Sequence, residues 1–581
     1  MSDDQDEATT AQAGKPQSYA SRPWLAWYGD GVPAEVEVPA VGLNTLLDDA
    51  AARWPTQIAA TFLGLDMTYA QLRAETDALA GGLAKIGVKP GDRVAMILPN
   101  CPQTLMAFYA VLRLGAIVVE GNPLYTEHEL AHQLVDSGAE VVICLDRTFA
   151  TVAAARARGG TAVREVIVTS VVDYLPKRSQ LALRLPIAKA RKLRAELVHP
   201  VPADAGVLRF ADVLASGRGT NVTQAPVDPT AVAVLLYTTG TTGAGKGAML
   251  THRNLVANVH QCRVWFTTAK EGEEVMMCVL PMFHAYGLTL CVTLGMVLGA
   301  HLILMPRFDV DMVFDAIAKY KPTIFPGVPP MYSALLASPR AAETDLTSIN
   351  GCLSGSMKLP ADLTDRWREA TGDPIVEGYG MTESSPVTHA GPLTGPYRPG
   401  SIGLPFPSTE CKVVSDHDPT VETPVGETGE LAVRGPQVFV GYWNAPESTA
   451  EALTEDGWLL TGDIARMGED GWFEIVDRKK ELIIAGGFNI YPNDVEEVLA
   501  ELTQIQDVAV IGVPDPYRGE TVKAFIVVRP GQTLTEEEVA AHAKANLAAY
   551  KVPKRYEFRD ELPKVGIGKV LRRALRAEEA E

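Results

Sequence analysis

A chain of 581 residues is long enough for a large core and more than one domain. With 47% hydrophobic and 21% charged residues it has the composition of a globular protein, and a formal net charge of −19 excludes broad nucleic-acid binding, which needs a basic face. The seven cysteines, at 101, 144, 262, 278, 291, 352 and 411, include no C-x-x-C pair and mostly sit in apolar surroundings, the pattern of reduced core thiols rather than zinc ligands or disulfides.

Residues 1–40 read as a loose leader with anchoring aromatics at Trp24, Trp27 and Tyr28. The stretch 1–17 is acidic and polar and carries no signal-peptide pattern, so a cytoplasmic location is expected. From Leu43 the pattern is α/β. Helical patterns at 69–86, 104–114 and 127–137 alternate with apolar strand runs at 93–98, 116–120 and 141–145, a spacing that predicts parallel sheets with helices on their faces. Residues 177–194 stand apart: seven cations (Lys177, Arg178, Arg184, Lys189, Arg191, Lys192, Arg194), no acids, and leucines between them. A solvated or leucine-packed connector and a basic patch touching anionic lipid headgroups are both open readings.

The apolar run 231–236 leads into Tyr237-Thr-Thr-Gly-Thr-Thr-Gly-Ala-Gly-Lys-Gly247, with four glycines in eight residues and one lysine. Glycine lets backbone approach a ligand, and hydroxyls, bare N–H groups and a lysine suit a polyphosphate. The Walker spacing is nearly met, but Gly247 stands where that pattern needs the Ser or Thr that binds magnesium, so an ordinary P-loop NTPase is disfavoured. Thr251 is placed to cap the next helix. Residues 275–306 contain no Asp, Glu, Lys or Arg. That length suggests a membrane span, but Pro281, His284, His301 and Gly287, Gly295 and Gly299 divide it into strand, helix and strand, so it is expected to be buried core lining a pocket.

Further on, 309–319 reads as helix, 323–325 as strand, 326–330 as a turn into a helix at Met331, and 351–356 as a strand and its end. A β-rich section runs from Gly429 to Val476, and a charged break follows at Asp477-Arg-Lys-Lys480. The last hundred residues form a compact unit with helices at 495–502 and 535–547 and strands at 508–513 and 522–528. Tyr379-Gly380-Met381-Thr382-Glu383 unites an aromatic able to stack on a base and a carboxylate able to hold a metal ion that bridges phosphates. Asp463, after a Gly turn, is a good acceptor for ribose hydroxyls. Taken singly, Glu383, Asp463 and Lys569 read by composition as a helix-start charge, a turn residue and a solvated lysine.

In this order the motifs Y-T-T-G-T-T-G-A-G-K-G, P-M-F-H-A-Y-G, Y-G-M-T-E, T-G-D, D-R-K-K-E-L-I, G-G-F-N-I-Y-P and L-P-K-V-G-I-G-K resemble the adenylate-forming superfamily from about Leu43 to Arg573, and within it the bacterial long-chain fatty-acid–CoA ligases. The resemblance implies an α/β fold: a large N-terminal domain of packed α/β sheets with a β-rich subdomain (41–477), a hinge (478–480) and a small mobile α+β C-terminal lid (481–581). It implies an enzyme that uses ATP, Mg2+ and CoA to activate a fatty acid as acyl-AMP and pass it to CoA. Thr238, Thr239, Gly240, Thr241, Thr242, Gly243 and Lys246 would grip the phosphates. Glu383 would hold the metal and Thr382 touch the α-phosphate. Gly355, Ser356, Glu377, Gly378, Tyr379 and Gly380 would serve the adenine pocket, and Asp463 and Arg478 the ribose. Lys569 would contact carboxylate and α-phosphate, His284 would sit near the acyl carboxylate, Gly486 and Gly487 would line the CoA channel, and Lys480 would be the hinge. Two departures stand out. Gly245 replaces the usual Pro before the loop lysine, and Val565-Gly-Ile567 replaces the usual Ser or Thr after Lys564. A carrier-protein acceptor, an aryl or medium-chain acid, and a noncatalytic lipid-binding role are the alternatives.

Overall fold

The computed structural model describes residues 18–202, 205–220, 222, 227–238, 245–485, 488–515, 517–565 and 569–580, without the side chains of 488, 489, 565, 569 and 580. The alternating apolar runs build two sheets. One has seven strands in the order Leu208–Arg209, Glu165–Thr169, Val141–Leu145, Arg93–Ile97, Ile117–Glu120, Val232–Thr238 and Lys246–Thr251. It is parallel except for its last pair, the antiparallel stems of the Gly/Thr-rich loop. The other has nine strands, with the parallel run Ile375–Gly380, Gly351–Ser354, Ile324–Gly327, Val275–Cys278, His301–Leu304 and Ile58–Phe62 at its centre. Strands covered on both faces tend to be apolar along their length, and Val141–Leu145 and Gly351–Ser354 are buried at every position.

A continuous core joins the two sheets. It includes Leu72, Leu79, Met106, Phe108, Val256 and Leu290, from the helices Tyr69–Lys85, Pro102–Arg113 and His252–Trp265 and from the apolar segment. That segment is strand, helix and strand, as its glycines predict: Val275–Cys278, helical turns from Ala285 to Leu298, and His301–Leu304, parallel to the first strand. Among the described residues no helix is long and apolar enough to cross a membrane. Its middle, Leu288–Leu294, is a buried π-helix, a form frequent at functional sites.

A four-stranded antiparallel sheet follows: Glu410–Val414, Gly429–Arg434, Leu459–Met467 and Phe473–Arg478. The β-rich section therefore begins at Glu410, earlier than the expected Gly429. The helix expected from Met331 starts at Pro329, because prolines suit the first helical positions, where no N–H is needed. The last hundred residues have their own core, including Ile483, Val495, Val510, Val522 and Val539, beneath a sheet of Ile505–Asp515, Gly519–Val528, Ile483–Ala485 and Phe488–Ile490, with Arg555–Arg559 paired alongside. Trp24 packs edge-on to Phe473 at 6.0 Å and Tyr28 to Trp265 at 5.2 Å, so the leader is pinned to the large domain from Tyr19 onward. Residues 177–194 form two short helices, Lys177–Leu183 and Ala188–Leu197.

Candidate functional site

The stems of the Gly/Thr-rich loop pair Thr238 with Lys246 and Tyr237 with Gly247. Thr239, Gly240, Thr241, Thr242 and Gly243 lie outside the described residues. Thr251 caps the next helix through a reciprocal capping box with Asn254. Lys246 Nζ donates to Ser448 Oγ at 2.6 Å and lies 5.5 Å from the Tyr442 ring centroid.

Tyr442 links the lysine to the acidic motif. Its hydroxyl donates to Glu383 Oε1 at 2.6 Å. Burial pushes the Glu383 carboxyl above its ordinary value, with the Tyr442 hydroxyl and Arg478 pulling the other way. Among the described residues no group of three or more His, Cys, Asp and Glu side chains could hold a metal by itself. One buried carboxylate supplemented by phosphate oxygens is the donor set magnesium prefers, so Glu383 fits the ion. Neighbouring Gly380 is required sterically: a Cβ there would lie 1.9 Å from the Pro386 carbonyl oxygen.

Tyr379 donates its hydroxyl to Asp463 Oδ2 at 2.7 Å, and Arg478 Nε meets Asp463 Oδ1 at 3.1 Å. Asp463 and Arg478 face each other across an antiparallel pair, so strand register brings the two motifs together. Asp463 is buried while Arg478 is half-exposed, leaving a charged edge open. Arg478 acts electrostatically on Glu383 as well, which places both carboxylates in one field. Gly355 faces Tyr286, where a Cβ would come within 3.2 Å of Cε1, and Ser356 is exposed at φ 68°. Burial raises the Glu377 carboxyl to about 8, so this side chain is held neutral near pH 7.

The His284 side chain is exposed, and desolvation by the surrounding protein lowers its pKa. Its Nδ1 accepts from the Tyr286 N–H at 3.3 Å, which leaves the proton of the neutral ring on Nε2 as a donor. Tyr286 in turn donates to the Leu353 carbonyl at 2.6 Å, and Thr289 Oγ1 donates to the Ser385 carbonyl at 2.7 Å. The segment carrying the histidine thus touches both Gly355 and Ser385, just past the Y-G-M-T-E stretch.

At the charged break the side-chain partners change sides. Lys479 Nζ reaches back to Glu430 Oε2 at 2.6 Å in the four-stranded sheet. Glu481 pairs forward with Arg572, which also holds Glu496 at 2.6 Å. Lys480 lies between them, its carbonyl accepting from Arg576 at 3.2 Å. Of the terminal lysines, Lys564 is engaged with Asp507 at 2.5 Å. The backbone of Lys569 pairs with Val565. Gly486 and Gly487 lie outside the described residues.

Sequence reading missed Tyr442 and Ser448. Both belong to the stretch G-Y-W-N-A-P-E-S-T, which carries the family likeness but no obvious chemistry. The bridge of Ala248 to Tyr442 that delivers them joins segments remote in sequence.

Residues 47–443 match the AMP-binding enzyme family and residues 494–569 the AMP-binding enzyme C-terminal domain. The chain is 46% identical over 563 residues to a long-chain-fatty-acid–CoA ligase of Bacillus subtilis, spanning 97% of this chain and 99% of that one. A feruloyl-CoA synthase of Amycolatopsis is 38% identical over 514 residues, spanning 88% and 94%. Among solved structures, ATP-bound MatB from Rhodopseudomonas palustris superposes with a TM-score of 0.78 at 31% identity, covering 93% of this chain and 99% of that one. A Mycobacterium tuberculosis fatty acyl CoA synthetase gives 0.69 at 27%, covering 92% and 98%.

Proposed function

Because the chain belongs to the AMP-binding enzyme family, we propose that it is an AMP-forming acid–thiol ligase that activates long-chain fatty acids with ATP and transfers them to CoA. The observation that carries this reading is the meeting of Lys246, Tyr442, Glu383, Asp463 and Arg478 beside the uncharged segment 275–306, which includes His284. The nearly full-length likeness to long-chain-fatty-acid–CoA ligases favours a fatty tail, and so does the lack of Arg and Lys in the segment 275–306, where they could grip a second acid group.

In the first step an acyl carboxylate oxygen attacks the ATP α-phosphorus and pyrophosphate leaves. The loop with Lys246 holds the departing phosphates. Thr382 touches the α-phosphate, and Asp463 and Arg478 hold the ribose. Gly355, Ser356 and Glu377 to Gly380 form the adenine pocket. His284 donates from Nε2 to the acyl carboxylate. Mg2+ held by Glu383 and the phosphate oxygens would supply positive charge against the charge spreading over them. In the second step the CoA sulfur attacks the acyl carbon and AMP leaves. The two steps need different groups at one centre, so the lid turns about Lys480, bringing Lys569 for adenylation and the Gly486-Gly487 channel for CoA. The change of partners between Lys479 and Glu481 supports that hinge.

Contact with an anionic lipid surface is part of the same proposal. Leu181, Leu185, Ile187 and Leu193 are exposed among the seven cations of residues 177–194. Vesicle flotation with anionic lipids should weaken when these cations become Gln, and unchanged flotation rejects the contact.

For the enzyme itself, pyrophosphate release should require both ATP and a fatty acid, and free CoA thiol should disappear in step with it. Release without loss of CoA points to a carrier-protein acceptor. No release at all rejects the ligase.

A further inference from the structure

We propose that His132 and Asp136, one turn apart on the helix Glu127–Ser137, are positioning residues that hold both stems of the Gly/Thr-rich loop for ATP. The inference rests on the reading of that loop as a phosphate clamp.

At the loop's exit, His132 Nε2 lies 3.1 Å from the Gly245 carbonyl oxygen and donates to it. At its entrance, the Tyr237 hydroxyl donates to Asp136 Oδ2 at 2.6 Å. The Asp136 carbonyl accepts from Trp443 Nε1 at 3.1 Å and Asn444 Nδ2 at 3.0 Å, while the Trp443 N–H donates to the Gly247 carbonyl at 2.7 Å. One helix turn therefore fastens the loop's two ends and the strap that carries Tyr442 and Ser448. The helix is itself well anchored, with a Thr126–Glu129 capping box at its start and Gly138 in the left-handed conformation at its end.

The arrangement accounts for Gly245. A Cβ at that position would sit 2.8 Å from the Thr238 carbonyl oxygen, so the stem backbone has no room for the proline ring usual before the loop lysine. A proline there would limit the backbone by its own ring. Glycine brings no ring, and the hydrogen bond from His132 limits the backbone from outside. A stem fixed before ATP arrives loses less conformational freedom when phosphates bind, which favours the step in which pyrophosphate leaves.

The test measures the two half-reactions separately on the full chain. His132→Ala should raise KM for ATP and lower kcat/KM for acyl-AMP formation about tenfold, the worth of one hydrogen bond, with conversion of supplied acyl-AMP to thioester unchanged. His132→Gln, whose amide can reach the same carbonyl, should recover most of the loss. Tyr237→Phe should act like His132→Ala on ATP alone. If Lys246→Ala raises KM for ATP while His132→Ala and Tyr237→Phe do not, the positioning role is wrong and the phosphate clamp stands. If Lys246→Ala is also silent, the clamp reading falls. If His132→Ala lowers both half-reactions equally together with Tm, the residue serves the fold only and the proposal is overturned.

Discussion

The Glu383 cluster and the apolar segment 275–306 meet where Thr289 Oγ1 donates to the Ser385 carbonyl, and they are held by opposite means. Around Glu383, directional bonds between distant segments fix each side chain: Tyr442 to Glu383, Lys246 to Ser448, Tyr379 to Asp463. Along the apolar segment, close packing fixes the backbone. A Cβ on Gly287 would lie 2.1 Å from the Pro281 carbonyl oxygen, and one on Gly295 would lie 2.6 Å from Leu302 Cδ2. Under the proposed function, the difference divides the work between a charged head and an oily tail. Charge that develops during reaction needs oriented dipoles already in place, whereas a tail needs only area and shape.

The most severe break of the polar side is Lys569→Ala. It should lower acyl-AMP formation by roughly 10²–10³-fold and leave conversion of supplied acyl-AMP to thioester close to normal. An equal fall in both half-reactions would contradict the assignment. Glu383→Gln keeps the shape and the acceptor for Tyr442 but removes the charge. Acyl-AMP formation should drop by about 10², and the magnesium titration of activity should move to higher concentration.

The apolar side breaks differently. Gly287→Ala forces a methyl against the Pro281 carbonyl, an overpacking worth about 1–3 kcal/mol. Thermal unfolding should show a lower Tm and steady-state kinetics a raised KM for the fatty acid, with KM for ATP unaltered. A rise in KM for ATP instead would mean the two regions are not separable.

The smallest effect is in pH. Burial raises the Glu383 carboxyl, so its proton leaves only above the usual carboxylate range. The acid limb of kcat/KM for ATP should therefore lie higher than an ordinary carboxylate gives, and Glu383→Gln should remove it. Stability has the opposite sign. A raised folded-state value contributes stability that is present below the unfolded value and lost as pH rises through the folded one. Mild acidification should therefore stabilise the ligand-free protein while it slows the enzyme.

Much of this contrast is legible in the sequence. Glycines and uncharged residues alone resolve 275–306 into strand, helix and strand, because backbone punctuation is local. The motifs around Glu383, Asp463 and Arg478 are recognisable by residue type and order. Their fastening is not. Tyr442 reaches Glu383 through a bridge between Ala248 and Tyr442, and Asp463 meets Arg478 through strand register. Neither relation leaves a periodic trace in the chain. The Pro329 helix start was hidden by a dipeptide that marks turns and first helical turns alike. The early onset of the β-rich section at Glu410 was hidden because Glu410–Val414, half-exposed at alternate positions, is short and lacks a strong apolar run.

The most direct test of two regions with separate tasks is kcat/KM over a series of straight-chain acids of increasing length, with KM for ATP measured at each. Each added CH₂ buried in an apolar pocket contributes about 0.8 kcal/mol, roughly a fourfold gain. The expected result is a steep rise with length up to the long chains and then a plateau, at a constant KM for ATP. A flat profile, a preference for aromatic acids, or a KM for ATP that follows chain length would contradict the account.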